Sequence, residues 1–219
     1  MADGVDLTAP EATFVRAFAE AKRLALAVGT DLSYPGFSDA VSDVDWLHIP
    51  YGGAYPSGAA QGDWKLRWAG TFRARILQIQ PRPDGFAAAY CLDFGAVAES
   101  EDGGATYRWA RTGDAGEPQR GWTTWLTARS VPATHTSQTQ SPIRESLDRA
   151  PRYNSFDGWL VTDAWGPSAR TPTDTVLSDA CTTWTQKNEE ADGRQPGTPA
   201  NPPPVSQTPF PGWPGRPRE

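Results

Sequence analysis

The chain runs to 219 residues, a length for one domain with extensions, and 38% of them are hydrophobic. Its net charge of −6 excludes a nucleic-acid binder and a polybasic membrane-surface anchor, since both need a cationic face. No apolar run reaches bilayer-spanning length, so no transmembrane segment is expected.

Residues 1–7 read as a flexible N-terminus. Thr8, Pro10 and Glu11 then form a helix start: a hydroxyl to cap, a proline where no donor is needed, and an acid to close the box. Phe14, Ala17, Phe18, Ala21, Leu24, Ala25 and Val28 recur at helical spacing. Arg16, Glu20, Lys22 and Arg23 fall off that stripe, which predicts an amphipathic helix with a solvated polar face. Tyr34-Pro35-Gly36-Phe37 is a turn, followed by a helical turn over 38–44.

Residues 65–80 alternate with period two, with Leu66, Trp68, Phe72, Ala74 and Ile76 on one face and Lys65, Arg67, Thr71, Arg73 and Arg75 on the other. Gly70 marks a bend or bulge in this strand. Residues 86–97 alternate in the same phase. Pro83-Asp84-Gly85 between them predicts a three-residue hairpin loop with Gly85 in the left-handed position. That register sets Arg75 opposite Asp93 as a cross-strand ion pair.

Further strands are expected at 106–111, 121–131 and 159–165, while 178–187 fits neither helix nor strand clearly. From residue 190 prolines dominate, which predicts disordered or polyproline-like chain over 190–219. The folded domain is therefore expected over 8–189.

Cys91 and Cys181 have neither metal-site nor redox-motif spacing. They either close a loop of about 90 residues, contributing roughly 4–5 kcal/mol through chain entropy, or stand as buried thiols. His48 and His135 have no partner at ligand spacing, and no phosphate-binding loop is present, so no metal or cofactor is expected. Lys65, Arg67, Arg73 and Arg75 make a cationic strand face, read either as an anion-binding row or as a solvated face paired with neighbouring acids. Ten tryptophans suit strand packing, or a sugar-stacking surface that would expose Trp122, Trp125 and Trp165.

The helix at 9–28, the turn Tyr34-Pro35-Gly36-Phe37, the strand at 68–76, Tyr90-Cys91-Leu92-Asp93, and Gly158-Trp159-Leu160-Val161 followed by Cys181 carry a resemblance. The chain resembles the nuclear transport factor two-like superfamily over residues 8–184, above all the envelope-associated or lipoprotein members of high-GC bacteria. The resemblance implies an α+β domain, a helix packed on a curved, mostly antiparallel, cone-like sheet. It implies a binding or interaction domain in the cell envelope, with an unidentified protein or small-molecule partner. Residues 1–10 hold no basic and apolar export signal, which keeps a cytoplasmic location as the alternative. The superfamily's enzymes use an acid and tyrosines in a cavity between helix and sheet. An isomerase or lyase would here draw on Asp93, Tyr90, Asp163 and Tyr34. Strand alternation puts Asp93 and Tyr90 on opposite faces, so the pattern leans away from an enzyme.

Overall fold

A computed structural model of the chain describes residues 5–28, 33–42, 67–100, 102–110, 122–133, 150–151, 153–166, 171–195, 197–207 and 213. In chain order the elements are α1 (Pro10–Val28), α2 (Phe37–Ala40), β1 (Arg67–Gly70), β2 (Arg73–Arg82), β3 (Gly85–Asp93), β4 (Val97–Ser100), β5 (Arg108–Trp109), β6 (Trp122–Ser130), β7 (Trp159–Trp165) and α3 (Pro172–Asp192). The fold is α+β. One sheet has the order β2-β3-β6-β7 and the other β1-β4-β5, every pairing antiparallel.

The start of α1 differs from the expected box. Thr8 donates both its hydroxyl and its N–H to the Asp6 carboxylate (2.6 and 2.8 Å), and the Ala9 carbonyl accepts the first helical bond from Thr13. Val5 and Leu7 pack against the core, so the described part of the expected flexible N-terminus is anchored. The apolar stripe of α1 meets the four-stranded sheet through rings. Phe14 lies edge-on to Phe86 and Phe156, and Phe18 edge-on to Tyr90. The expected solvated face is a correction: Lys22 is 2% and Arg23 6% exposed, so α1 is enclosed on its polar side too.

The long predicted strands are two arms of one bent hairpin. Residues 67–82 break at Gly70 and 85–100 break at Phe94–Ala96, so β2 pairs β3 in one sheet while β1 pairs β4 in the other. The Thr71 N–H donates to the Ala96 carbonyl across the bend. Gly70 sits at φ +106, and a Cβ there would collide with the Ala96 carbonyl oxygen.

The hairpin register also differs. Arg82 pairs Gly85, so the loop is Pro83-Asp84 alone, and Leu77 is left over as a bulge between Ile76 and Gln78. The bulge lets Ile76 and Ile79, three apart, face the same core. The shorter loop and the bulge each move the pairing by one position, so Arg75 lies opposite Cys91 and Arg73 opposite Asp93. The expected ion pair therefore belongs to Arg73.

The segment that fitted no element is helix α3. Thr171 and Asp174 exchange side-chain and backbone bonds in a capping box, Pro172 opens the helix, and Gly193 closes it in the left-handed conformation. The expected disorder from residue 190 fails for the described residues 190–195 and 197–200, while 196, 208–212 and 214–219 lie outside the described residues. Residue 199 bridges to Arg108, the Trp109 N–H donates to the Thr198 carbonyl (2.9 Å), and the Ala200 N–H donates to the Tyr107 carbonyl (2.8 Å). The C-terminal segment thus covers the β5 edge of the smaller sheet. Trp213 is buried at 1% exposure.

Gly70→Ala is expected to cost about 1–3 kcal/mol of strain plus repulsion from the Ala96 carbonyl. Gly103→Ala, also at positive φ but with open space around it, should cost about 1 kcal/mol. Urea unfolding of both variants checks the order; equal costs would mean that the bend relaxes freely.

Candidate functional site

Alternation along β3 sends Tyr90 and Leu92 toward α1, and Cys91 and Asp93 toward α3. Each face carries its own cluster.

On the α3 face, Cys91 is bonded to Cys181, with Cα atoms 5.4 Å apart. Asp93 is 1% exposed and accepts three bonds: from Arg73 Nη1 (3.2 Å), Asn188 Nδ2 (2.8 Å) and the Gly95 N–H (2.7 Å). Arg73 reaches on to Asp192 at 2.8 Å, and Asp192 also meets Arg194 at 3.5 Å. Arg194 in turn lies 4.4 Å over the Trp109 ring. A chain of charge thus runs from β3 through α3 to β5. Asn188, Asp192 and Arg194 were not legible as site residues, because the helix that carries the first two was not.

On the α1 face, Glu20 is the hub. Its carboxylate accepts from Arg16 Nε (2.9 Å), the Tyr34 hydroxyl (2.6 Å) and the Trp213 indole N–H (2.7 Å). Arg16 also stacks on the Trp213 ring at 4.1 Å, and Tyr34 meets it edge-on. Burial, then the charge and hydrogen bond of Glu20, push the Tyr34 phenol far above its ordinary range. Burial pushes Tyr90 up to about 12. Burial, reinforced by the Arg23 charge, pulls the Lys22 ammonium well below its usual range. Glu20 and Trp213 were missed: Glu20 read as a solvated helix position, and Trp213 lay in chain expected to be disordered.

The four catalytic candidates do not converge. Asp93 lies on the α3 face, Tyr90 and Tyr34 on the α1 side, and Asp163 is exposed on β7. The cationic row is split. Arg73 is bound to Asp93 and Asp192, Arg75 lies opposite Cys91, Arg67 sits in β1 opposite Ser100, and Lys65 lies outside the described residues, as do His48 and His135. The exposure that a sugar-stacking surface needs fails at Trp122 and Trp125, which are 5% and 4% exposed. Trp125 stacks on the half-buried Trp165 instead, at 6.0 Å and nearly parallel.

Among the described residues no three His, Cys, Asp or Glu gather as a metal-holding group, and no described helix is long and apolar enough to cross a membrane. Comparison of the chain with protein-family models, curated proteins and solved structures finds no match in any of the three.

Arg73→Ala leaves the Asp93 carboxylate buried with its charge partner gone and is expected to cost about 3 kcal/mol. Arg82→Ala, an exposed position on the same strand, should stay within about 0.5 kcal/mol. Equal unfolding free energies for the two variants would remove Arg73 from any structural role.

The raised phenols give a pH dependence with a definite sign. Tyr90 titrates higher folded than its unfolded value of about 10, so its contribution is whole below pH 10 and is lost as pH rises through 12. Absorbance of tyrosinate at 295 nm should show a late phase that loses its component near pH 12 in Tyr90→Phe, while the still later titration of Tyr34 remains. A single phase near pH 10 in the folded wild-type protein would contradict the burial argument.

Proposed function

We propose that the chain is a non-catalytic binding or interaction domain that works in an oxidising compartment outside the cytoplasm, at the cell envelope. The observation that carries this reading is the Cys91–Cys181 bond between the central strand β3 and helix α3. Such bonds form and persist where the surroundings are oxidising, and are rare in reducing cytosol. The resemblance to the nuclear transport factor two-like superfamily supports the same location. Its helix-first order, with antiparallel strands following, is the order of the described elements.

Two further observations favour binding over catalysis. Asp93 and Tyr90 point to opposite faces of the sheet, so no pocket can use both. The space between α1 and the sheet, where an isomerase or lyase would keep its cavity, holds the rings of Phe14, Phe18, Phe37, Phe86, Tyr90 and Phe156. The acidic net charge directs the partner search toward proteins and small molecules rather than nucleic acid.

Protein taken from its native host is to be denatured, treated with iodoacetamide without reductant, and weighed intact. The expected mass carries no adduct and fits one internal bridge. Two adducts would place the protein in a reducing compartment and overturn the envelope reading.

A further inference from the structure

The Glu20 cluster is built around one indole. Two of its groups meet Trp213 directly: the Glu20 carboxylate takes the indole N–H at 2.7 Å and the Arg16 guanidinium covers the ring at 4.1 Å. Tyr34 closes the side, edge-on at 6.0 Å, while its own hydroxyl holds Glu20 in place at 2.6 Å. Only tryptophan among the aromatic residues offers both a ring for the cation and a ring N–H for the carboxylate. All three wall residues come from α1 and the turn that follows it, far from residue 213 in sequence. The C-terminal segment therefore supplies the occupant and none of these three wall residues.

Among the described residues after 200, Trp213 alone is buried. After residue 200 the described strap is tied to the domain by Ser206 to the Gly70 carbonyl and by the Gln207 N–H to the Thr71 hydroxyl, both exposed bonds, and Val205 is 87% exposed. The deeply buried side chain is Trp213, set in the run Pro211-Gly212-Trp213-Pro214. A terminal segment whose described residues beyond 200 bury one side chain is an element of the kind that copies of a chain exchange at low cost.

We propose that Arg16, Glu20 and Tyr34 form an indole-binding socket for a proline-flanked tryptophan, filled in cis by residue 213 of the same chain and in trans by that of a second copy. The proposal rests on the binding-domain reading and gives it a site and an occupant. The resident tail acts as a competitor at millimolar effective concentration, so trans occupancy rises when the tail is released or the protein is concentrated.

The test uses the full chain carrying Trp213→Ala and a fluorescent peptide of residues 206–219. The variant is expected to bind this peptide at least tenfold more tightly than it binds the same peptide with its tryptophan replaced by alanine. Wild-type chain, with its socket filled, should bind at least tenfold more weakly than the variant. Adding Glu20→Ala to the variant should abolish binding. No binding by a folded variant, or equal binding of both peptides, overturns the proposal. Should the variant fail to fold, wild-type chain labelled with 5-fluorotryptophan decides. Excess peptide must move the resonance of residue 213 to its free position, and an unmoved resonance at millimolar peptide overturns the proposal. Failure here leaves the envelope binding domain standing, because that reading is decided separately by thiol protection.

Discussion

The second face of the sheet depends on the bond between Cys91 and Cys181. Helix α3 turns Asp174, Cys181 and Thr185 inward as its buried residues, with Asn188 and Asp192 continuing the stripe. A stripe of that composition buries little apolar area, so the hydrophobic effect holds α3 only weakly. Tying residues 90 apart removes freedom from the unfolded chain, a contribution of roughly 4–5 kcal/mol in the chain-entropy account. The capping box and the bonds from Arg73 and Asn188 then set the helix's angle and register, tasks for which polar groups are well suited. Everything C-terminal to α3 inherits this anchor, including the cation of Arg194 over Trp109 and the segment that covers β5.

Strand β3 is the partition of the molecule. Its even positions feed the aromatic core under α1, and its odd positions feed the disulfide and the Asp93 network under α3. Two carboxylates thus work apart, Asp93 buried and Glu20 part-exposed, and each accepts from three donors: Asp93 from Arg73, Asn188 and Gly95, Glu20 from Arg16, Tyr34 and Trp213. A carboxylate so occupied is an organiser of its surroundings. The difference between the two is what it organises. Asp93 joins elements that are already covalently tied, whereas Glu20 joins α1 to a residue 193 positions away.

The elements with strong periodicity were legible from sequence: α1 by its phenylalanine stripe, the hairpin arms by alternation, and the split of Tyr90 from Asp93 by parity. The register was not, because a bulge at Leu77 leaves the local alternation almost undisturbed while moving every pairing beyond it. Arg73 and Arg75 look equivalent in the pattern, and the shorter loop and the bulge together decide which of them meets Asp93. Helix α3 was missed through reliance on apolar spacing. Its ends were nonetheless written in Thr171, Pro172, Asp174 and Gly193, a cap, a first-turn proline, a box acid and a stop. Burial of Lys22 and Arg23 had no sequence signal, since charge at those positions reads as solvent-facing.

The proline-rich C-terminus shows how composition and position can disagree. Prolines deny a segment its own helix or sheet, but they do not prevent an existing sheet edge from binding its remaining carbonyls and N–H groups. The carbonyl of Thr198 and the N–H of Ala200 flank Pro199 and make the bonds to β5 that the proline cannot donate. Rigid residues also lose less freedom when such a segment docks. One large aromatic then adds an anchor where the domain presents a carboxylate and a cation at the right spacing. Glu20 and Arg16, one helical turn apart on α1, provide both. The four-residue spacing that puts Arg16 and Glu20 side by side off the apolar stripe positions an acceptor and a ring-facing cation around a single indole.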